Sequence, residues 1–230
     1  MVVLMARETL TRPRIIKAAI ALLDRDGLEG LSIRELGREL GTAATALYWH
    51  VKNKDDLVRQ AADAVWTEIA LPPLERSDWR QAAKSMAQEL YRALSIHPWL
   101  AQAFGNYSVY GPGKARHDDH SLAVYELAGF DEADADNAAI SVFIFVLGHA
   151  LVRIAGAPPA SRQSGKHADA GDSPGERIAE VQQIAACYPR LRARLASVAM
   201  GDLSTPDDNF EFGLSAILDG LALRLASRQR

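Results

Sequence analysis

The sequence predicts an all-α chain with a three-helix N-terminal head, residues 1–65, and a larger helical body, residues 66–230. Three observations predict this. Apolar residues recur at three- and four-residue spacing in one segment after another. Start and stop signals bound those segments, with Thr11 ahead of Pro13, Ser32 ahead of Ile33, Asn53 ahead of Asp55, and Gly27, Gly41 and Gly129 at ends. No stretch reads convincingly as a strand.

Residues 1–9 read as a loose arm whose Arg7 is either tail or a DNA contact. Thr11 caps the first helix, Pro13 sits just inside it, and Ile15, Ile16, Ala19, Ile20, Leu22 and Leu23 form its buried face. Gly27 ends it, and Leu28 and Leu31 close the small core. Ser32 with Glu35 three residues on makes a capping box for a short helix carrying Ile33, Leu36 and Leu40 on one side. Gly41 stands where a left-handed terminating residue is wanted. Another short helix starts near Thr42 or Ala43, turns Ala46, Leu47 and Val51 inward, and leaves Ala43, Ala44, Thr45, Tyr48 and His50 outward. Two amphipathic helices joined by a glycine turn form a helix-turn-helix, whose second helix fits a DNA major groove.

A longer helix follows through Leu57, Ala61, Val65 and Ile69 and stops before Pro72-Pro73; Trp66 on it reads as core in preference to cavity wall. Ser77 or Asp78 caps a helix to about Ser95 with Trp79, Ala82, Ala83, Met86, Leu90, Ala93 and Leu94 inward. His97-Pro98 breaks it, Trp99 to Phe104 is a short helical piece, and residues 106–113 are turn chemistry. A helix from about Lys114 carries Leu122, Tyr125 and Leu127 to Gly129, and residues 131–135 open a helix apolar nearly all round from Ala138 to Ile154. Residues 156–175 read as a mobile loop rich in Gly, Pro, Ser and Ala. Two short amphipathic helices, 176–186 and 190–200, precede a last helix from Thr205-Pro206 through Phe210, Leu214, Ile217, Leu218, Leu221 and Leu225.

With 230 residues, 48% hydrophobic and 24% charged, the composition is that of an ordinary globular protein able to bury a core. A net charge of -3 does not advertise nucleic acid, so a DNA reader must gather its cations locally, from Arg34, Lys52 and Lys54 with Arg7, Arg12 and Arg14. The single cysteine, Cys187, excludes an intramolecular disulfide and fits a cytoplasmic location. The apolar start is too short for a signal peptide, and the run 138–152 is shorter than the ~20 residues that span a bilayer, so no membrane is expected.

The outward residues of the second short helix suit a groove. Ala43 and Ala44 permit close approach, the Thr42 and Thr45 side chains suit base edges, and Arg34 can fork onto a guanine. Tyr48, Trp49, His50, Lys52 and Lys54 complete the DNA-facing set, with Tyr48, His50 and both lysines as phosphate donors. Free backbone N–H groups of the helix starting near Asn53 offer a further phosphate site.

Residues 27–57, GLEGLSIRELGRELGTAATALYWHVKNKDDL, closely resemble the DNA-binding domain of the tetracycline-repressor (TetR) family, LYWHVKNK most specifically. The resemblance is strong over residues 10–65 and returns weakly at 210–221, FEFGLSAILDGL. It implies a homodimer, through the 138–154 and 210–225 helices, on a palindromic double-stranded operator. It further implies a small-molecule effector that releases a repressor; the alternative is a ligand-independent DNA-binding regulator or activator. Candidate effector contacts are Met86, Leu90, Trp99, Phe104, Tyr107, Tyr125, Phe143 and His149, the last also readable as a core histidine.

The family's tetracycline binders hold a magnesium–drug chelate with a histidine on the short helix and a glutamate on the long apolar one. Here HPWLAQAFGN has a histidine only at its start, Phe104 lies near the metal position, and residues 137–154 carry no acid. A metal-free, cofactor-free apolar effector is therefore expected, aromatic or polyketide-like. An enzyme is not expected, because no phosphate loop, GxSxG or Cys/His pair is present. The run His117, Asp118, Asp119, His120 reads as a solvated helix face rather than a metal cluster.

Overall fold

The structure is a computed structural model that describes residues 10–74, 78–156, 174–199 and 206–228. The arm 1–9, Ser77, Met200, Thr205 and nearly all of the expected 156–175 loop lie outside the described residues. Among those described there are eleven helices and no strand.

The head is α1 (Arg12–Gly30), α2 (Ile33–Glu39), α3 (Ala44–Leu47) and the start of α4 (Lys54–Glu68). Thr11 occupies the α1 cap position but its hydroxyl makes no capping bond, and the helix breaks at Gly27, φ 68. Ser32 Oγ accepts the Glu35 N–H at 3.0 Å, while the Glu35 carboxylate pairs with Arg38. After α2 the chain reverses at Gly41, φ 63, with Gly41 N–H bonded to Arg38 O at 3.2 Å and Thr42 N–H to Gly37 O at 2.9 Å. This double bond pattern satisfies two carbonyls that the helix end leaves open. α3 begins at Ala44, a residue or two later than expected, because Ala43 is still extended at ψ 139. Ile15, Ala19, Leu22, Leu31, Leu36, Leu47, Val51 and Leu57 close the core beneath it.

The body comprises α5 (Trp79–Ile96), α6 (Pro98–Ala103), α7 (Pro112–Ala128), α8 (Glu132–Gly156), α9 (Pro174–Ala186), α10 (Pro189–Ala199) and α11 (Pro206–Arg228). α8 packs on α5, α6, α7 and α11 through Ala135, Ala138, Val142, Val146 and Ala150. Its other side, expected to be buried too, is open in the single chain at Ile140, Ile144, Leu151 and Val152. By length and composition α8 is also long and apolar enough to cross a membrane, which the shorter run counted in the sequence understated.

Among the described residues, hydrogen bonds at two joints fasten head to body. Asp24 Oδ1 on α1 accepts from His97 Nδ1 at 2.7 Å and from Trp99 Nε1 at 2.8 Å. α7 grips the C-terminal half of α4: Asp63 Oδ1 accepts the Gly113 N–H at 2.6 Å, and Arg116 donates to Thr67 O at 3.0 Å and Ile69 O at 2.9 Å. His120 Nε2 donates to Pro72 O at 2.8 Å just beyond.

Candidate nucleic-acid interface and effector cavity

The α2–α3 turn presents Arg34, Ala43, Thr45, Tyr48, Trp49 and Lys52 on the surface, with Thr42, His50 and Lys54 half-exposed. Trp49 is 89% exposed, beside a Tyr48 that is also open. Two adjacent exposed aromatics point to a contact surface. Ala44 differs from expectation: it is half-buried against the core, and its backbone lies close behind Gly37, so the outward alanine is Ala43. Arg12 donates to the His50 carbonyl at 3.2 Å, tying the start of α1 to the end of the reading element.

The Asn53 helix start is more occupied than the sequence suggested. Asn53 Oδ1 accepts the Asp56 N–H at 2.8 Å, and Asp56 Oδ2 accepts the Lys52 N–H at 3.0 Å. Burial works against the Asp56 charge, but the Lys52 N–H and the Arg59 and Gln60 side chains outweigh it, and its carboxyl titrates below the usual range. A carboxylate held charged in the first turn competes with any phosphate there.

In the body, α5, α7 and α8 line a partly open cavity of ≈ 240 Å³. Met86, Leu90, Tyr125 and Phe143 of the expected contacts line it. The other four do not. Trp99 is buried with its N–H spent on Asp24; Phe104 packs edge-on against Trp66 and Phe143. Tyr107 is half-buried outside the cavity, and His149 sits among Tyr91, Phe145 and Phe210. Trp99 and Phe104 read as cavity wall by their apolar character, which does not distinguish a core wall from a cavity wall.

Two of the cavity's polar residues, His117 and Asp118, come from the stretch that read as a solvated face. His117 is 7% exposed and Lys114 9% exposed, and both line the cavity with Asp118. Lys114 Nζ reaches Asp118 at 2.6 and 2.8 Å and stands 4.6 Å over the Phe143 ring and 5.1 Å over Trp66. An ammonium so paired and set on aromatic faces is stable where a lone one would not be. His117 Nδ1 lies 3.9 Å from Asp118 Oδ1, beyond hydrogen-bond reach. Burial opposes ionisation of Asp118; His117 and Lys114 overcome it and hold the carboxyl below its usual range. Burial alone pushes the Tyr125 phenol well up, so it remains a neutral wall.

Asp136, in the first turns of α8, also lines the cavity. Among the described residues no three His, Cys, Asp or Glu side chains converge as a metal site. His97, the one histidine of the short stretch, is engaged by Asp24. These residues do not fit a magnesium–drug chelate.

The family described as bacterial regulatory proteins, tetR family, matches residues 15–61, and the tetracyclin repressor-like C-terminal domain matches residues 71–225. An HTH-type transcriptional regulator of Saccharopolyspora erythraea is 40% identical over 139 residues, 60% of this chain and 59% of that relative. The HTH-type transcriptional repressor DrrR1 of Streptomyces coeruleorubidus is 32% identical over 232 residues, 97% of this chain and 81% of that protein. The crystal structure of the Streptomyces coelicolor TetR family protein ActR in complex with actinorhodin aligns at TM-score 0.74 and 26% identity, over 94% of this chain and 99% of that one. With a helix-turn-helix at one end and the matched domain covering the rest, the chain belongs to the tetracycline-repressor (TetR) family of transcriptional regulators.

Proposed function

We propose that this chain is a cytoplasmic, dimeric repressor that leaves a palindromic operator when a small apolar effector fills the cavity between α5, α7 and α8. The observation that carries the reading is the double duty of α7. Its Lys114, His117 and Asp118 line the cavity, while its Gly113, Arg116 and His120 hold the end of α4 and the turn after it. α4 starts a few residues past α3, so an effector that moves α7 moves the reading element with it. Such a ligand acts only if it binds the released state more tightly. A coupling of about 1–3 kcal/mol is usual for such linkage. ActR with actinorhodin, a similar chain holding a small molecule, and DrrR1, a similar chain named as a repressor, support the reading.

The dimer rests on α8 and α11. Val152 is 73% exposed and Phe212 80% exposed, next to Ile140, Ile144 and Leu223, and Gly148 and Gly220 have open space above them. An apolar surface of this extent calls for a cover, and a second copy supplies the same two helices. Mobility shift of duplex from the chain's own upstream region tests the function. Retardation that weakens steeply with salt is expected; no retardation at low salt overturns the reading.

A further inference from the structure

α4 and α7 are joined at two places, and each is held differently. At the first, Gly113 lies so close to α4 that its N–H reaches Asp63 Oδ1 at 2.6 Å and an added Cβ would strike the Asp63 carbonyl. At the second, one turn further along α4, Arg116 Nη2 donates to Thr67 O at 3.0 Å and Ile69 O at 2.9 Å. These carbonyls belong to the last turn of α4 and its cap, where a helix leaves acceptors open and a cation suits its dipole. His120 holds Pro72 O, three residues past the cap, and so steadies the turn and not the helix end. One point of contact lets two helices swivel, and a second fixes their crossing angle. Gly113 is the pivot, and Arg116 sets the angle. Arg116 is exposed, forms no ion pair among the described residues, and lies off the cavity that Lys114, His117 and Asp118 line. The angle counts because α4 is a lever. Its 15 residues, rising 1.5 Å each, span roughly 22 Å from the fastened end to a start just past α3. A swing of about 10° at the fastened end carries the far end about 4 Å, more than the ~3.4 Å rise of one base pair.

We propose that Arg116 selects the half-site spacing this protein reads: by holding the α4 end it sets the separation of the two reading heads in a dimer. Without it the head keeps the Asp24 tie and the Gly113 pivot, enough to stay folded on the body but not to hold one angle. The proposal rests on the reading of the chain as a dimer on a two-half-site duplex and adds the residue through which spacing is chosen. Arg116 acts as a positioning residue, a helix length away from the reading element, and its bonds go to backbone carbonyls at the surface, so its loss leaves the core intact.

Anisotropy titration of the full-length protein tests it, with the upstream duplex it protects and the same duplex lengthened or shortened by one base pair between its half-sites. The wild type is expected to lose roughly tenfold in affinity or more at the altered spacings. Arg116→Met is expected to bind all three duplexes alike, and Arg116→Lys, whose ammonium can donate to the same carbonyls, to restore the preference. A merely structural role would weaken every duplex equally and leave the preference standing. A wild type indifferent to spacing overturns the proposal, as does a preference that survives in Arg116→Met or stays lost in Arg116→Lys. Head separation is read without DNA by pulsed EPR of the full-length chain carrying Cys187→Ser and a spin label at Ala21→Cys, an exposed site on α1. Arg116→Met is expected to broaden that distance distribution, or shift it by about one base-pair rise, ~3.4 Å; an unchanged distribution overturns the proposal. A chain that binds no upstream DNA overturns the regulator alone, since the spin-label distances still decide the role of Arg116. A chain that binds DNA with the same spacing preference in Arg116→Met overturns that role alone, and a chain with no dipolar signal between copies overturns both.

Discussion

Gly41 sets the angle between the two short helices of the head, since its φ of 63 reverses the chain and nothing stands within 4 Å of a side chain added there. The cost of replacing it is therefore backbone strain and not collision. Gly41→Ala is expected to lower unfolding stability by ~1–2 kcal/mol in urea titration. Lys54→Ala should weaken binding to all duplexes alike and reduce the salt slope by ~1, as loss of one phosphate contact does. Arg34, exposed and with no ion-pair partner among the described residues, should behave differently if it reads a guanine. Arg34→Ala then costs ~1–3 kcal/mol at one base position in a competition series; equal loss on every sequence would reject the assignment. Asp56 adds a pH signature. Its carboxyl is depressed in the fold, so the stability it contributes is present above its unfolded pKa and is lost as pH falls through the folded value. Asp56→Asn should flatten the acid limb of stability against pH, and an unchanged limb would show that the cap contributes nothing.

At the level of elements, α7 is the part whose polar residues the sequence left open between cavity wall and solvated face. The head was legible because its signals are local: Ser32 with Glu35, Gly41 after Leu40, and Asn53 ahead of two acids each act within four residues. α7 carries Lys114, Arg116, His117, Asp118, Asp119 and His120 in one run, a pattern that reads as solvated. Its burial comes from partners far away in the chain, with α4 on one side and α8 on the other. Only the pairing of Lys114 with Asp118, on a floor of Phe143 and Trp66, makes the charge tolerable there. Conversely, Trp99 and Phe104 read as cavity because they are large and apolar, and the fold spends them on the α1–α6 joint and the Trp66 cluster. The α4–α7 joint is tight. A Cβ on Gly113 would sit 2.6 Å from the Asp63 carbonyl, a backbone atom that cannot swing aside. Gly113→Ala should therefore destabilise the chain by ~1–3 kcal/mol through overpacking. It should also change how strongly an effector shifts DNA affinity, read by anisotropy with and without ligand. Unchanged coupling would mean that α7 does not transmit.

For the whole molecule the apolar seam of α8 and α11 decides the rest. The sequence predicts α8 to be buried on several sides, and in the single chain one side stays open at Ile140, Ile144, Leu151 and Val152. α8 and α11 pack closely, with Gly213 lying under the Phe145 ring, so the two helices form one continuous surface. Ile144→Glu with Phe212→Glu should yield monomers in analytical ultracentrifugation and abolish tight binding to a two-half-site duplex, while leaving helical content intact. A doubly substituted chain that remains a dimer would move the interface elsewhere.

The most direct measurement is a footprint of the full-length protein on its upstream DNA at low salt, taken with the stoichiometry of the complex. The account predicts two symmetry-related protected patches about one helical turn apart, roughly 34–36 Å, on a duplex carrying two chains or a multiple of two. No protection anywhere in that DNA, or a single patch held by one chain, would contradict it.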